Sequence, residues 1–307
     1  MNLLVGGTGF IGGHVVEYLF QQGEISRGIF RKGSHLKIMD SSGVQGIEAD
    51  LLDHHSLHEA MEGVDGVYSM ASPMPGVDTD FMKINTEGIL NLLEVAKEAK
   101  AKVFVHLSTL DVYGFHQTPV DASTLPAPSN DYQRSKAEAE RLLLEFSKRN
   151  PEPRVVIIRA AKAVGSRDES LVTPILRMAS SGRVTVPSAG VMSFSHPRDI
   201  AQAMLESATM TLSTGKVILL RSFDSTPEGL AEGIAMAAGK RAEVRKQGLF
   251  SSSVLPKYTS EQLRAAVRLG DQPDWKGIGY VPKYDLKGAC EEIADWSRKE
   301  PWAIEGA

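Results

Sequence analysis

Apolar residues in the first half of the chain fall in short unbroken runs separated by stretches of helical spacing. "NLLV" (2–5) stops at glycines, and "FIGGHVVEYLFQQG" (10–23) then sets Ile11, Val15, Leu19 and Phe20 at helical intervals until Gly23 ends the pattern. The same rhythm predicts strands over "EISRGIF" (24–30), "VQGIEA" (44–49), "VDGVYSMA" (64–71), "KVFVHLS" (102–108) and "RVVIIRA" (154–160). Between them it predicts helices over "SLHEAME" (56–62), "DFMKINTEGILNLLEVAKEA" (80–99) and "RSKAEAERLLLEFSKR" (134–149). Strands that are apolar throughout belong in a parallel sheet covered on both faces, so the expected fold is α/β, a Rossmann-type doubly wound parallel sheet.

After about residue 165 the rhythm loosens. "SFSHPRDIAQAMLESA" (193–208) reads as loop then helix and "KVILLR" (216–221) as one more strand, with irregular segments around them. The expected organisation is a core domain over 1–165, to which 195–222 return, and a smaller discontinuous substrate-binding region from 166–194 and 223–307.

Composition narrows the class. At 307 residues and 42% hydrophobic content the chain can bury a large core. Its 34 basic and 38 acidic residues give no polyelectrolyte signature, and no apolar run reaches membrane-spanning length, so the expected partner is a small molecule, not nucleic acid or membrane. The single cysteine, Cys290, excludes an internal disulfide and a multi-cysteine zinc site, and "MNLLVGGTGF" is no secretory leader, which together suggest a cytoplasmic protein. His54 and His58 in "HHSLH" stand four apart without a third ligand nearby and read as a polar helix start, with no metal expected.

Two spacings carry chemistry. "VGGTGFIGG" (5–13) holds Gly7, Gly9 and Gly12 in G-x-G-x-x-G order, with Gly6 beside them, between a strand and a helix. Backbone amides in such a turn can approach a pyrophosphate at the positive end of the helix, so a dinucleotide is expected there. In "NDYQRSKAEAE" (130–140) Tyr132 stands four residues before Lys136, the one tyrosine of seven with that spacing. Spacing alone fits either a solvated helix face or an acid beside a cation that tunes it.

In order and interval, "GGTGFIGG", "STLDVYG" (108–114) and "YQRSK" (132–136) resemble the extended short-chain dehydrogenase/reductase family, also called the NAD-dependent epimerase/dehydratase family. The likeness extends to "HPRDIAQAM" and the tail "GYVPKYDLKGACEEIADW". It implies that Tyr132 is the catalytic acid/base, that Lys136 lowers its pKa and holds the nicotinamide ribose, and that Thr109 is the hydroxyl partner, with Ser108 its local competitor. A phenol near pKa ~10 is a poor base at neutral pH until a cation stabilises its phenolate. The resemblance also puts Gly6, Gly7, Gly9, Phe10, Ile11 and Gly12 at the cofactor, Asp50 and Leu51 at the adenine, and Ala71, Ser72 and Asn85 close by.

Where an NAD site usually has a carboxylate for the ribose 2'-hydroxyl, this chain has Arg31, Lys32 and Ser34, donors suited to a 2'-phosphate; a solvated basic turn is the other reading. NADP is the expected cofactor, with NAD the alternative. Sugar-nucleotide members of the family hold a diphosphate with an asparagine and an arginine at the positions of Lys162 and Met192, while "RLGDQP" (268–273) resembles a later arginine segment of theirs through Arg268. The expected function is an NADP(H)-dependent oxidoreductase on a carbonyl or secondary alcohol, similar to dihydroflavonol reductases and hydroxysteroid dehydrogenases. The alternatives are a nucleotide-sugar epimerase or dehydratase and a non-catalytic cofactor sensor. Helices near 80–99 and 135–148 carry apolar stripes that, by the resemblance, pair in a homodimer; covering the sheet is their other use.

Overall fold

A computed structural model describes residues 1–33, 41–73, 80–114, 119–247, 255–265, 267–270, 280–300 and 302–305. The first half alternates as the pattern requires: β1 (Asn2–Val5), α1 (Phe10–Gln21), β2 (Ser26–Phe30), β3 (Gln45–Glu48), α2 (His54–Met61), β4 (Gly66–Ser69), α3 (Gly88–Glu98), β5 (Val103–Thr109), α4 (Asp131–Arg149) and β6 (Arg154–Ala160). The rest comprises β7 (Lys162–Ala163), α5 (Val172–Ser180), β8 (Arg183–Val186), β9 (Met192–Ser195), α6 (Pro197–Thr209), β10 (Lys216–Leu220), β11 (Phe223–Ser225), α7 (Pro227–Ala237), β12 (Glu243–Lys246), α8 (Lys257–Ala265), α9 (Leu286–Lys299) and α10 (Trp302–Glu305).

Seven strands form one parallel sheet in the order β10-β6-β5-β4-β1-β2-β3. Successive residues of a strand point to opposite faces, and both faces here are apolar. Val103, Val105 and Leu107 of β5 join the core under α1 and α6, whereas Phe104 joins the core under α2 and α3. The chain winds outward from β1 to β3 and then steps back across β1 to β4, so the crevice of this doubly wound sheet opens at the carboxyl ends of β1 and β4. Val5 and Ser69, paired across those strands, mark its floor.

Three details depart from the pattern. "SFS" (193–195) is strand, not loop: buried β9 pairs with β11 and β7 in a small sheet of its own. The segments expected to be irregular hold α5, α7, α8 and α9, whose apolar residues close a separate core around Ile175, Leu230, Ile234 and Ile293. The helix over 80–99 contains a π turn at Lys83–Glu87, a local widening that 3.6-residue periodicity does not encode.

Ile89, Leu92, Leu93, Val95 and Ala96 of α3 and Leu143 of α4 all enter the core beneath the sheet, so the apolar stripes of these helices serve to cover it. His54 and His58 lie 4.0 and 3.0 Å from Glu94 and Glu98 on α3, as a polar helix face would. Two segments of the resemblance meet physically. Asp199 at the start of α6 accepts hydrogen bonds from Ser222 and from the backbone of Lys283 and Tyr284, at 3.0 and 3.3 Å for the latter two, and His196 stacks on Tyr284 with ring centroids 3.6 Å apart. Among the described residues no helix is long and apolar enough to cross a membrane, and no group of three or more His, Cys, Asp or Glu is arranged to hold a metal ion.

Candidate active site

The glycine turn leaves no room for side chains. Gly6 has φ +93°, and a Cβ there would stand 2.6 Å from the backbone nitrogen of Ala71; a Cβ on Gly12 would stand 1.9 Å from the Gly6 carbonyl oxygen. Backbone therefore meets backbone across the crevice, which only glycine permits. Gly9 caps α1 without any side-chain hydrogen bond, and the first turn carries no acidic residue, so the positive end of the helix is left for an anion. Gly7 is buried, Phe10 and Ile11 are half-buried, and Gly9 is exposed. These features fit a dinucleotide pyrophosphate.

Arg31 and Lys32 follow β2 and are exposed beside this turn's end of the sheet, whereas Ser34 lies outside the described residues. Asp50 accepts from the backbone nitrogen of Leu52 at 2.9 Å, and Leu51 is buried against Gly88, where a Cβ would come within 2.9 Å of the leucine's own. Asn85 is buried inside the π turn. Its amide donates to Ser135 at 3.0 Å, while its Oδ1 is a buried acceptor without a partner among the described residues.

Helix α4 is anchored at its first turn by Asn130, which accepts from the Gln133 backbone at 2.9 Å, and by Gln133, which accepts from the backbone and hydroxyl of Ser129 at 2.7 and 2.8 Å. That turn holds the Tyr132 ring between Phe81 and Tyr258, with centroids 5.7 and 5.2 Å away in edge contacts. Burial pushes the phenol above its ordinary pKa, the charge of Asp111 pushes the same way, and a hydrogen bond with Ser72 opposes them. An open groove of about 1000 Å³ runs past Phe81, Asp131 and Arg134 at the same turn.

Lys136 sits one turn on and is buried. Its ammonium donates to the Leu107 carbonyl at 2.8 Å and lies 3.2 Å from His106 Nε2. An ammonium has no lone pair, so His106 Nε2 is the acceptor and its ring proton sits on Nδ1, directed at Ser69 Oγ 3.2 Å away. Burial lowers the Lys136 pKa to about 8, against the charge of Glu140; burial and then Lys136 hold His106 well below its ordinary value, so the imidazole is neutral. The spacing that pairs Tyr132 with Lys136 in sequence thus delivers the ammonium to the end of β5, where its hydrogen bonds go to Leu107 and His106.

Ser108 and Thr109 part company. Ser108 is buried and donates to Glu140, whose carboxylate also binds Arg159 through three contacts of 3.1, 3.0 and 2.6 Å. Arg159 in turn donates to Tyr113 at 2.7 Å. Ser108 therefore belongs to a structural network and is not free for a substrate. Thr109 caps a 3-10 turn (Leu110–Tyr113), its Oγ1 accepting from the Asp111 backbone at 3.1 Å, which leaves the hydroxyl proton to donate.

Of the residues matched to diphosphate ligands, Met192 is 2% exposed and belongs to the core that β9 closes. Lys162 is half-buried on β7 and acts electrostatically on Asp111. Arg268 lies 3.4 Å from Asp224, which also binds Arg221 at 2.8 Å. The residues that pattern reading missed are His106, Asp111, Tyr258 and Gln262. Asp111 stands inside "STLDVYG", and Tyr258 and Gln262 stand four apart on α8, a same-face spacing that marks a pair without revealing its target.

The chain matches the profile of the "NAD dependent epimerase/dehydratase family" over residues 2–218. It is similar to sterol demethylase protein B of Methylococcus capsulatus, 29% identical over 66% of this chain and 64% of that protein, so it spans less than two thirds of that relative's length. It is also similar to the decarboxylating sterol-4-alpha-carboxylate 3-dehydrogenase ERG26 of Candida albicans, 27% identical over 93% of this chain and 77% of the other. Its fold is that of the UDP-glucose-4-epimerase of Stenotrophomonas maltophila solved with NAD and formylated UDP-arabinopyranose, with TM-score 0.84, 19% identity and 99% of each chain covered. With a profile match over more than half its length, this chain belongs to the NAD-dependent epimerase/dehydratase family.

Proposed function

We propose that the chain is an NADP(H)-dependent oxidoreductase that interconverts a carbonyl and a secondary alcohol, with Tyr132 as proton donor and acceptor and Thr109 as the hydroxyl that binds the reacting oxygen. The observation that carries the reading is Tyr132 itself, a half-buried phenol held between two aromatic rings, whose proton the charge of Asp111 helps to hold, beside the turn that Thr109 caps. A bound nicotinamide supplies hydride transfer. The chain's own residues do the rest: the glycine turn and the end of α1 receive the pyrophosphate, Arg31 and Lys32 the 2'-phosphate, Asp50 and Leu51 the adenine side, and Lys136 the ribose. Ala71, Ser72 and Asn85 border the nicotinamide end. The Tyr132 phenol is protonated at neutral pH, the form that donates when a carbonyl is reduced and that is regenerated when an alcohol is oxidised.

The alternative is a nucleotide-sugar epimerase or dehydratase. The likeness to UDP-glucose 4-epimerase carries the fold, and the diphosphate ligands argue against the activity: Met192 is core and Arg268 shares Asp224 with Arg221. The cofactor is the sharper test. A charged hydrogen bond is worth roughly 1.5–3 kcal/mol, so one contact to a 2'-phosphate makes NADPH bind at least about tenfold more tightly than NADH. Arg31→Asp reverses that preference. Equal dissociation constants in the unmodified protein would leave the basic turn facing solvent and return the epimerase reading. Homodimerisation through α3 and α4, expected from the resemblance, finds no support in their apolar stripes, which cover the sheet, and sedimentation at micromolar concentration tests it.

A further inference from the structure

Asp111 is a carboxylate that should not be cheap to bury. It is 5% exposed, yet one of its oxygens accepts from Tyr258 Oη at 3.0 Å and from the Gln262 amide, both on α8. Its own backbone nitrogen donates to Thr109 Oγ1 at 3.1 Å, so this one residue ties the helix to the end of β5. Burial raises its pKa, while Lys162 and the two donors act the other way and favour the ionised, acceptor-only carboxylate. The charged and titratable groups that act on it or feel it are Lys162 on β7, Tyr132 on α4 and Tyr258 on α8.

A reacting oxygen bonded by Tyr132 and Thr109 lies beside this charge, because Asp111 acts on the Tyr132 phenol and its backbone bonds Thr109 Oγ1. We propose that Asp111 determines specificity: held by Tyr258 and Gln262, its carboxylate admits substrates that carry no negative charge within two carbons of the reacting carbon. The inference rests on the oxidoreductase reading for where the substrate oxygen sits. An anionic substituent there would meet a like charge in a place shielded from water, where repulsion is strong. Lys162 offsets part of it from the other side. Neutral ketones and alcohols are the substrate class that remains.

The test reads binding, so it stands apart from turnover. With NADPH present, calorimetry compares 3-oxocyclohexane-1-sulfonate with the uncharged 3-(methylsulfonyl)cyclohexanone, two ketones of similar shape. The sulfone binds about tenfold or more tightly than the sulfonate, and Asp111→Asn, which keeps the shape and removes the charge, erases most of that ratio. Lowering the pH narrows the gap in the unmodified protein as Asp111 protonates, because the sulfonate stays ionised; this arm serves if the variant does not fold. In reduction assays with the neutral ketone, Asp111→Asn also moves the Tyr132 limb of the pH profile to lower pH, a change a merely structural role would not produce. Equal affinity for the two ketones, or a ratio unchanged both by Asp111→Asn and by acid, overturns the proposal. Failure of every ketone to be reduced while the ratio behaves as stated overturns the oxidoreductase reading alone.

Discussion

Glu140→Gln is the substitution that probes how the site is held together. Glu140 and Arg159 are 2% and 7% exposed, and the carboxylate accepts three contacts from the guanidinium and one from Ser108. Removing one partner of such a buried pair costs roughly 3–5 kcal/mol, because the remaining charge stays desolvated without its counter-ion. Glutamine keeps the shape and one accepting oxygen, which recovers a hydrogen bond worth about 1 kcal/mol. The expected loss is therefore about 2–4 kcal/mol, measured as a drop in the free energy of urea unfolding at constant m. The double variant Glu140→Leu, Arg159→Met removes both charges and should be more stable than Glu140→Gln, since apolar replacement of a whole buried pair is often close to neutral. Because the charge of Glu140 also supports the Lys136 ammonium, the single variant moves the Lys136 titration below about 8. A loss under about 0.5 kcal/mol, or a double variant no better than the single one, would show that the pair is not the clamp its geometry describes.

The other predictions concern the site itself. Tyr132→Phe keeps the ring between Phe81 and Tyr258 but removes the proton, so kcat falls by ~10² to 10⁴ with cofactor affinity nearly intact; activity within about tenfold of the unmodified protein refutes the role. Lys136, held near 8 instead of its ordinary 10.5 by burial, is charged below that pH and neutral above it, so cofactor affinity weakens as pH rises through about 8 and Lys136→Met removes that dependence. The sign for stability is opposite: between about 8 and 10.5 the unfolded chain binds the proton that the folded chain releases, so stability rises with pH across that window, and a urea series in which Lys136→Met leaves the slope unchanged would assign it to other groups. Gly12→Ala puts a methyl 1.9 Å from the Gly6 carbonyl oxygen, a clash with backbone that cannot rotate away, and is expected to abolish NADPH binding while lowering the unfolding midpoint.

The parallel sheet was legible because its strands are buried on both faces and its helices on one, two patterns that differ in period. The last third was less so. β9 is "MSFS", whose buried serines break the apolar run, β11 is three residues long, and α7 carries its core residues Leu230, Ala231, Ile234 and Ala235 in a sequence rich in alanine and glycine. At the site, the glycine turn was readable in full, since the absence of side chains is itself the signal and the 1.9 Å approach at Gly12 is its cause.

The pair that drew attention in the sequence is where geometry adds most. Four-residue spacing put Tyr132 and Lys136 on one helix, but spacing does not say where a long flexible side chain ends. Lys136 ends at the Leu107 carbonyl and His106, and the charge that acts on the phenol here is that of Asp111. The two influences differ in sign: a cation beside Tyr132 would favour its phenolate, whereas a carboxylate favours the neutral phenol. The site thus holds a protonated Tyr132 and a lysine whose ammonium rests on the end of β5. A cofactor ribose offering hydroxyls to Lys136 would compete with His106 for the ammonium, and the neutral imidazole, hydrogen-bonded to Ser69, can release it without stranding a charge. His106→Phe should therefore weaken the hold on Lys136 in the free protein, lower its pKa further by leaving one ammonium proton unmatched, and shift the pH above which cofactor affinity declines to below about 8. An unchanged midpoint of that decline would mean that the Leu107 carbonyl alone positions the lysine.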